Sequence, residues 1–235
     1  MYFKIECWRK LDMENNIFGF DTKKSWDYEN GFYLTSHTSR LSKAVYHWEL
    51  YKMVHNVPGD IVEVGTYKGA SLIRFLSFRE ISESQYGRKV ISFDAFGKFP
   101  KTGRKYDDKF IDGFEEDGGY GISKTELDTA LKHKGYTNYE LVEGNIFDTL
   151  EPYLEKNNQM KIALLHLDVD VYDATLHALN LLFPHISRGG ALVLDDYNAV
   201  EGATNAADEY IKNNSISESL QKLSFSFRPS FLIKK

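Results

Sequence analysis

Five short apolar runs, each followed by a turn and a helix-length stretch, constrain this chain more than any other feature. They are "DIVEV" (60–64), "KVISFD" (89–94), "YELVE" (139–143), "KIALLHLD" (161–168) and "GALVLD" (190–195). The longer runs are continuously apolar rather than alternating, which suits strands covered on both faces. The stretches between them carry helical spacing. These are "ASLIRFLSF", "KTELDTALKHK", a short helix near 149–156, and 173–186, where Leu176, Leu179, Phe183 and Ile186 form one stripe with Pro184 near its frayed end. A further helix begins at Thr38, with Leu41, Ala44, Val45 and Trp48 at i, i+3, i+4 and i+7, and "VPG" at 57–59 ends it. Strands alternating with helices predict an α/β fold, a doubly wound and mostly parallel sheet with helices on both faces. "SLQKLSFSF" and "SFLIKK", on either side of Arg228-Pro229, predict a closing antiparallel hairpin.

In such sheets ligands bind beyond the carboxyl ends of the strands, so the strand ends are the places to look. The first ends Glu63-Val64-Gly65-Thr66-Tyr67-Lys68-Gly69. Gly65 permits a tight turn and close approach of a ligand to the backbone. The spacing is not GxGxxG, and Glu63 repels a phosphate, so a dinucleotide is disfavoured; Glu63 suits a cationic ligand such as an amine or a sulfonium, and an ordinary strand–turn–helix junction is the plainer role. The second strand ends at Asp94, where an acid commonly accepts ribose hydroxyls; a turn cap is the plainer role. Phe96 either covers an adenine face or packs in the core. Gly144 and Asn145 follow the third strand, where an adenine edge is read or a turn is simply made.

The fourth and fifth strands end in paired acids, Asp168/Asp170 and Asp195/Asp196. A right-handed crossover helix places these two ends side by side. Carboxylates converging there without cations push one another's pKa values up, and a divalent cation removes that strain. All-oxygen ligands point to Mg2+, with Mn2+ or Ca2+ as substitutes, rather than zinc. Asp173 is a candidate cap for the crossover helix, which leaves the pairs free for other work. His166, two residues before Asp168, reads as a core histidine upstream of the site.

The remaining sequence sets bounds. The chain has 235 residues and a net charge of −5, which argues against non-specific nucleic-acid binding. No apolar run approaches the roughly 18 residues of a membrane span, and "MYFKIECWRKLDMENN" has no secretory core. The single cysteine, Cys7, excludes an intramolecular disulfide and a cysteine-built zinc site. A soluble cytoplasmic protein is expected. Residues 1–37 are irregular and aromatic (Tyr2, Phe3, Trp8, Phe18, Phe20, Trp26, Tyr28, Phe32, Tyr33), which fits an N-terminal cap, an oligomer contact or plain core packing. Residues 97–123 are Gly-rich and mixed in charge, and predict a long loop or lid.

With these residues in hand, the chain resembles the macrocin O-methyltransferase (TylF-like) family of class I S-adenosylmethionine-dependent methyltransferases. The resemblance rests on "PGDIVEVGTYKGAS", "FDAFGKFP", "LDVDVYDATLHAL", "LFPHISRGGALVLDDY" and "GATNAADEY", in that order from about 57 to 210. "EVGTYKGAS" also resembles the turn of catechol-type O-methyltransferases. The resemblance implies a Rossmann-like, seven-stranded sheet within a methyltransferase domain over 38–235. It implies that Glu63, Gly65, Thr66, Tyr67, Gly69 and Ser71 surround the methionine part of S-adenosylmethionine. Asp94 would hold the ribose and Phe96 and Asn145 the adenine, with Ala95 and Asp168 also beside the cofactor. Asp168, Asp195 and Asp196 would bind Mg2+.

The implied reaction is transfer of a methyl group to a hydroxyl of a small molecule, a sugar on a nucleotide-linked, glycosylated or surface-polysaccharide precursor. Neither nucleic acid nor membrane is an expected partner, and a homo-oligomer is compatible with the aromatic N-terminus. Two departures stand out. The family usually has Gly where Val169 lies, and the lysine base of catechol-type relatives is replaced by Val171. Asp170 is therefore the first choice for general base and Asp168 the second. The competing readings are a catechol-type acceptor, an NAD(P)-dependent oxidoreductase on a similar sheet, and a non-catalytic cofactor-binding module.

Overall fold

A computed structural model describes residues 16–235. The expected aromatics Tyr2, Phe3 and Trp8, and Cys7, lie outside the described residues. Asn16–Ile17 (β1) and Phe20–Asp21 (β2) make a small separate hairpin. Helices α1 (Ser25–Thr35) and α2 (Thr38–Met53) follow. The main sheet then assembles from β3 (Asp60–Val64), β4 (Val90–Asp94), β5 (Tyr139–Glu143), β6 (Ile162–Leu167), β7 (Ile186–Leu194) and β8 (Ser230–Ile233). Their order is β5-β4-β3-β6-β7-β8, with every neighbour parallel except β8, which runs antiparallel to β7. The chain leaves β5 at one edge and re-enters as β6 on the far side of β3. The topological switch point therefore falls between β3 and β6.

The connecting helices are α3 (Ala70–Ser82), α4 (Lys105–Gly118), α5 (Lys124–His133), α6 (Ile146–Lys156), α7 (Tyr172–Leu182) and α8 (Glu201–Asn213). Alternate strand residues feed two cores. Ile61, Leu164 and Val193 pack with Leu50, Phe75 and Leu127 of α2, α3 and α5. Val62, Leu165 and Leu194 pack with Leu150, Leu179 and Ala207 of α6, α7 and α8. Both faces are covered, as continuous apolar strands require. Among the described residues no helix is long and apolar enough to cross a membrane.

Five expectations need correction. Among the described residues the sheet has six strands, not seven: the segment before β8 pairs with it only through an isolated bridge, Gln221 to Phe231. Beyond that bridge the Leu223 N–H donates to the Tyr46 hydroxyl (2.8 Å) instead of to the sheet, and Pro229 has no N–H to give. The 97–123 stretch contains α4, a 14-residue helix whose Ile111 is buried. Its glycines and charges obscured one apolar stripe of Phe110, Ile111 and Phe114. In α2 the buried face is Tyr46, His47, Leu50 and Tyr51, while Leu41 and Val45 of the expected stripe are 40% and 41% exposed. Two interleaved apolar spacings compete on this helix, and the aromatic one is buried. Helix α7 ends at Leu182 and a short 3-10 turn carries Pro184, so Ile186 opens β7 instead of closing the helix. Finally, α1 buries none of its residues; Trp26 is 75% and Leu34 85% exposed, so core packing is not the role of this described segment.

Candidate active site

Backbone hydrogen bonds carry the sheet ladder one residue beyond the strands at the switch point. Asp168 N–H donates to the Val64 carbonyl (2.9 Å), Asp195 N–H to Leu167 (3.0 Å) and Gly65 N–H to Phe93 (2.9 Å). The acids are thereby placed by main chain, not by side-chain packing. Gly65 has a φ of +90°, and a Cβ there would lie 1.8 Å from the Asp168 carbonyl oxygen, so no other residue fits. The crossover does what its length predicts: one carboxylate oxygen each from Asp168, Asp195 and Asp196 lie within 4.8 Å of one another. Asp170 stands outside this trio in the left-handed region (φ 61°), with its N–H directed at Asp196 Oδ2 (3.3 Å). Asp173 is not the helix cap. It accepts from Arg104 Nε (2.6 Å), and the first N–H of α7, that of Tyr172, is taken by Asp107 of α4 (3.1 Å).

Burial, then the charge of Asp195, raises Asp168 to about 6. Burial and the charges of Asp168 and Asp195 raise Asp170 to about 7, and burial with Asp168 and Asp170 holds Asp196 well above the usual carboxylate range. Burial opposes ionisation of Asp195 too, but hydrogen bonding to His166 and the Lys43 charge pull it well below. Lys43 reaches in from α2, its Nζ 2.7 Å from Asp195 Oδ2 and 3.8 Å from Asp168 Oδ2. Burial lowers the Lys43 pKa, but these carboxylates raise it overall. An ammonium thus already sits between two members of an all-oxygen trio. That donor set fits a hard divalent cation.

Beneath the trio lies a buried polar rung on the α2/α3 side of the sheet. Glu63 on β3 is opposite His166 on β6, and Asp195 lies two residues beyond Val193, the β7 partner of His166. His166 Nδ1 is 3.2 Å from Glu63 Oε1 and its Nε2 is 3.4 Å from Asp195 Oδ1. Burial lowers the His166 pKa, but the two carboxylates outweigh it and raise the value to about 9. His47 covers the rung; burial pushes it down to about 3, and its Nε2, 3.9 Å from Asp195, is too far for a hydrogen bond. Glu63, expected at the cofactor, is fully enclosed and off the cavity wall. Its carboxylate points inward because β3 alternates, with Val62 and Val64 on the other face.

The trio opens onto a cavity of about 1150 Å³, also lined by Gly65, Thr66, Tyr67, Ser71, Asp94, Ala95, Asn145 and Asp170. Single small-ligand pockets span about 300–1,000 Å³, so this cavity lies above that range. Asp94 organises the turn after β3: its Oδ2 accepts the N–H groups of Thr66 (2.6 Å) and Tyr67 (3.0 Å), and its Oδ1 that of Phe96 (2.6 Å). The Asn145 side chain accepts from Phe147 N–H (3.2 Å) at the start of α6. Gly69 precedes α3 with φ +80° and lies just off the wall. Phe96 is buried among the α2/α3 core and does not reach the cavity. Phe93, Phe99, Phe110, Phe114, Phe147 and Phe227 are the phenylalanines that line it.

Helix α4 roofs the cavity. The Tyr67 hydroxyl and Lys68 Nζ both donate to the Gly118 carbonyl at its end, Tyr67 meets Phe114 edge-on at 5.2 Å, and Glu115 accepts the Phe99 N–H (2.8 Å). Asp107 is nearly fully buried, and a Cβ on Gly202 of α8 would come within 2.4 Å of it. Sequence reasoning missed Lys43, Arg40, Arg74 and Asp107. The spacing of Lys43 with Tyr46, His47 and Leu50 was the available signal for the first.

The profile of the family described as "Macrocin-O-methyltransferase (TylF)" matches residues 40–226. The demethyldecarbamoylnovobiocin O-methyltransferase of Streptomyces niveus is 28% identical over 177 residues, 71% of this chain and 63% of that protein. An 8-demethyl-8-(2,3-dimethoxy-alpha-L-rhamnosyl)-tetracenomycin-C 4'-O-methyltransferase of Streptomyces olivaceus is 27% identical over 175 residues, 73% of this chain and 65% of that one. The chain thus spans less than two thirds of the length of these relatives. Among solved structures, the calicheamicin methyltransferase CalS11 superposes with a TM-score of 0.70 at 24% identity, covering 89% of this chain and 85% of that one.

Proposed function

The chain belongs to the macrocin O-methyltransferase (TylF) family, and from that membership we propose an S-adenosylmethionine-dependent O-methyltransferase assisted by Mg2+. The acceptor is a hydroxyl on a sugar of a glycosylated or nucleotide-linked small molecule. One observation carries the reading: Asp168, Asp195 and Asp196 converge on the same cavity as the Gly65 turn. Relatives named as acting on a rhamnosyl-tetracenomycin and on demethyldecarbamoylnovobiocin support the acceptor class.

The cofactor would rest against Gly65, Thr66, Tyr67 and Ser71, with Asp94 and Ala95 at the ribose and Asn145 towards the adenine. Asp94 keeps that role open because its Oδ1 accepts only the Phe96 N–H and has a second lone pair. Asp168, Asp195 and Asp196 would hold Mg2+. Bound there, S-adenosylmethionine supplies an activated methyl group and the cation supplies Lewis acidity at the acceptor hydroxyl. Asp170 is the proposed base. It faces the cavity, lies outside the trio, and has a pKa raised to about 7, near working pH. His166, wedged between Glu63 and Asp195, fixes the orientation of Asp195. Helix α4 excludes water from the acceptor.

The test is a methyl-transfer assay with S-adenosylmethionine against nucleotide deoxysugars, glycosides and catechols, with Mg2+ or with EDTA. Transfer to a sugar hydroxyl that EDTA abolishes is expected. EDTA-resistant transfer would remove the metal from the proposal, and transfer to catechols alone would replace the acceptor class.

A further inference from the structure

Most cations on the cavity wall are spoken for. Lys43 pairs with Asp195 and Lys101 with Asp112. Lys68 donates to Gly118, Lys98 lies over the Tyr120 ring and Arg228 over Phe227. Arg40 and Arg74 differ. They line the same cavity from the N-terminal ends of α2 and α3, and neither guanidinium has a hydrogen bond, ion pair or ring contact among the described residues. Their charges also act on each other: after burial, the Arg40 charge is the largest influence lowering the Arg74 pKa. Two guanidinium groups turned on one cavity repel unless an anion lies between them.

Balancing the acidic shelf is the plainer role for such a pair, and the charges of Asp195, Glu63 and Asp168 do act on Arg74. Asp195, however, already has Lys43 and His166 against it. A divalent cation on the trio would add two more positive charges, leaving the arginines in excess. The wall around them is suited to an oxyanion. Ser39 and Ser42 flank Arg40 on α2, and Ser71 lies three residues before Arg74, on one face of α3. Paired guanidinium groups match the planar fork of a carboxylate or the oxygens of a phosphate.

We propose that Arg40 and Arg74, with Ser71, form an oxyanion subsite that takes the carboxylate at the amino-acid end of the cofactor. The choice of carboxylate rests on the cofactor placement proposed above, because Ser71 and Arg74 continue the helix that follows the Gly65 turn. A phosphate on the acceptor is the other source of the same chemistry.

Calorimetry on the full chain with three probes separates these. S-adenosylhomocysteine carries the carboxylate, 5′-methylthioadenosine lacks it, and inorganic pyrophosphate is added at saturating S-adenosylhomocysteine. Wild type, R40M and R74M are compared, with circular dichroism confirming the fold. The expected result is S-adenosylhomocysteine weakened about tenfold or more in each variant, with 5′-methylthioadenosine unchanged. Pyrophosphate binding that is lost in both variants, with S-adenosylhomocysteine unaffected, assigns the subsite to an acceptor phosphate. Equal binding of all probes to all three proteins overturns the subsite, as does equal weakening of both nucleosides. If wild type binds no S-adenosylhomocysteine, the cofactor reading fails, and the pyrophosphate arm, run alone, decides the subsite.

Discussion

The floor and the roof of the cavity are built in opposite ways. The floor, at the ends of β3, β6 and β7, is set by main-chain bonds that extend the ladder to Gly65, Asp168 and Asp195. The roof, α4, is held by separate side-chain contacts: Tyr67 and Lys68 on Gly118, Asp107 on Tyr172, Glu115 on Phe99. A floor made by the sheet cannot shift without unpicking it, so it suits groups that must converge on a charge. A roof on individual side chains can be loosened one contact at a time, which suits a wall that admits the acceptor.

Four substitutions or conditions probe that contrast. On the floor, Asp195→Asn should lower kcat/KM about a thousandfold with the fold intact by circular dichroism. Gly65→Ala should cost about 3 kcal/mol or more in urea unfolding, since a Cβ would meet the Asp168 carbonyl at 1.8 Å. Asp170→Asn should lower kcat about a hundredfold while leaving Mn2+ binding in place. Full activity in that variant, with metal binding lost in Asp168→Asn, would move the base to Asp168. In the roof, Tyr67→Phe should raise the acceptor KM by roughly threefold with little change in stability, because one hydrogen bond of about 1 kcal/mol is lost. A thousandfold effect there would erase the distinction between floor and roof.

The smallest effect is on pH. Asp168 and Asp170 titrate near about 6 and about 7 when folded, above the ordinary 3.8. The folded chain therefore binds more protons than the unfolded chain between those values, and stability falls as pH rises through that window. His166, raised to about 9, contributes stability below its ordinary 6.5 that is lost as pH rises through about 9, in the same direction. Melting in EDTA should be a few degrees lower at about pH 8 than at about pH 5.5, and Mg2+ should narrow the gap.

The floor was legible because its signals are local and repeated. Apolar runs ending in Asp168 and Asp195, one crossover apart, place those acids together in any doubly wound sheet. Gly65 announced the turn. What stayed hidden depends on tertiary facing. Glu63 and Phe96 have the right positions in sequence, but strand alternation and the turn after β4 aim them into the core. Asp173 sits where a cap is expected, yet Asp107, 65 residues from Tyr172, takes the N–H. Helix α4 was masked by Gly113, Gly118 and clustered acids. Lys43, Arg40 and Arg74 come from helices whose cavity face no strand-end pattern encodes.

The proposed role of Asp168, Asp195 and Asp196 is to hold one divalent cation beside the Gly65 turn. Mn2+ binding followed by electron paramagnetic resonance, on wild type and Asp196→Asn with and without S-adenosylhomocysteine, tests it directly. One tightly bound Mn2+ per wild-type chain is expected, with at least about a tenfold loss in the variant and S-adenosylhomocysteine still bound by both. Free Mn2+ in the wild-type sample, or equal binding by the two proteins, would contradict it.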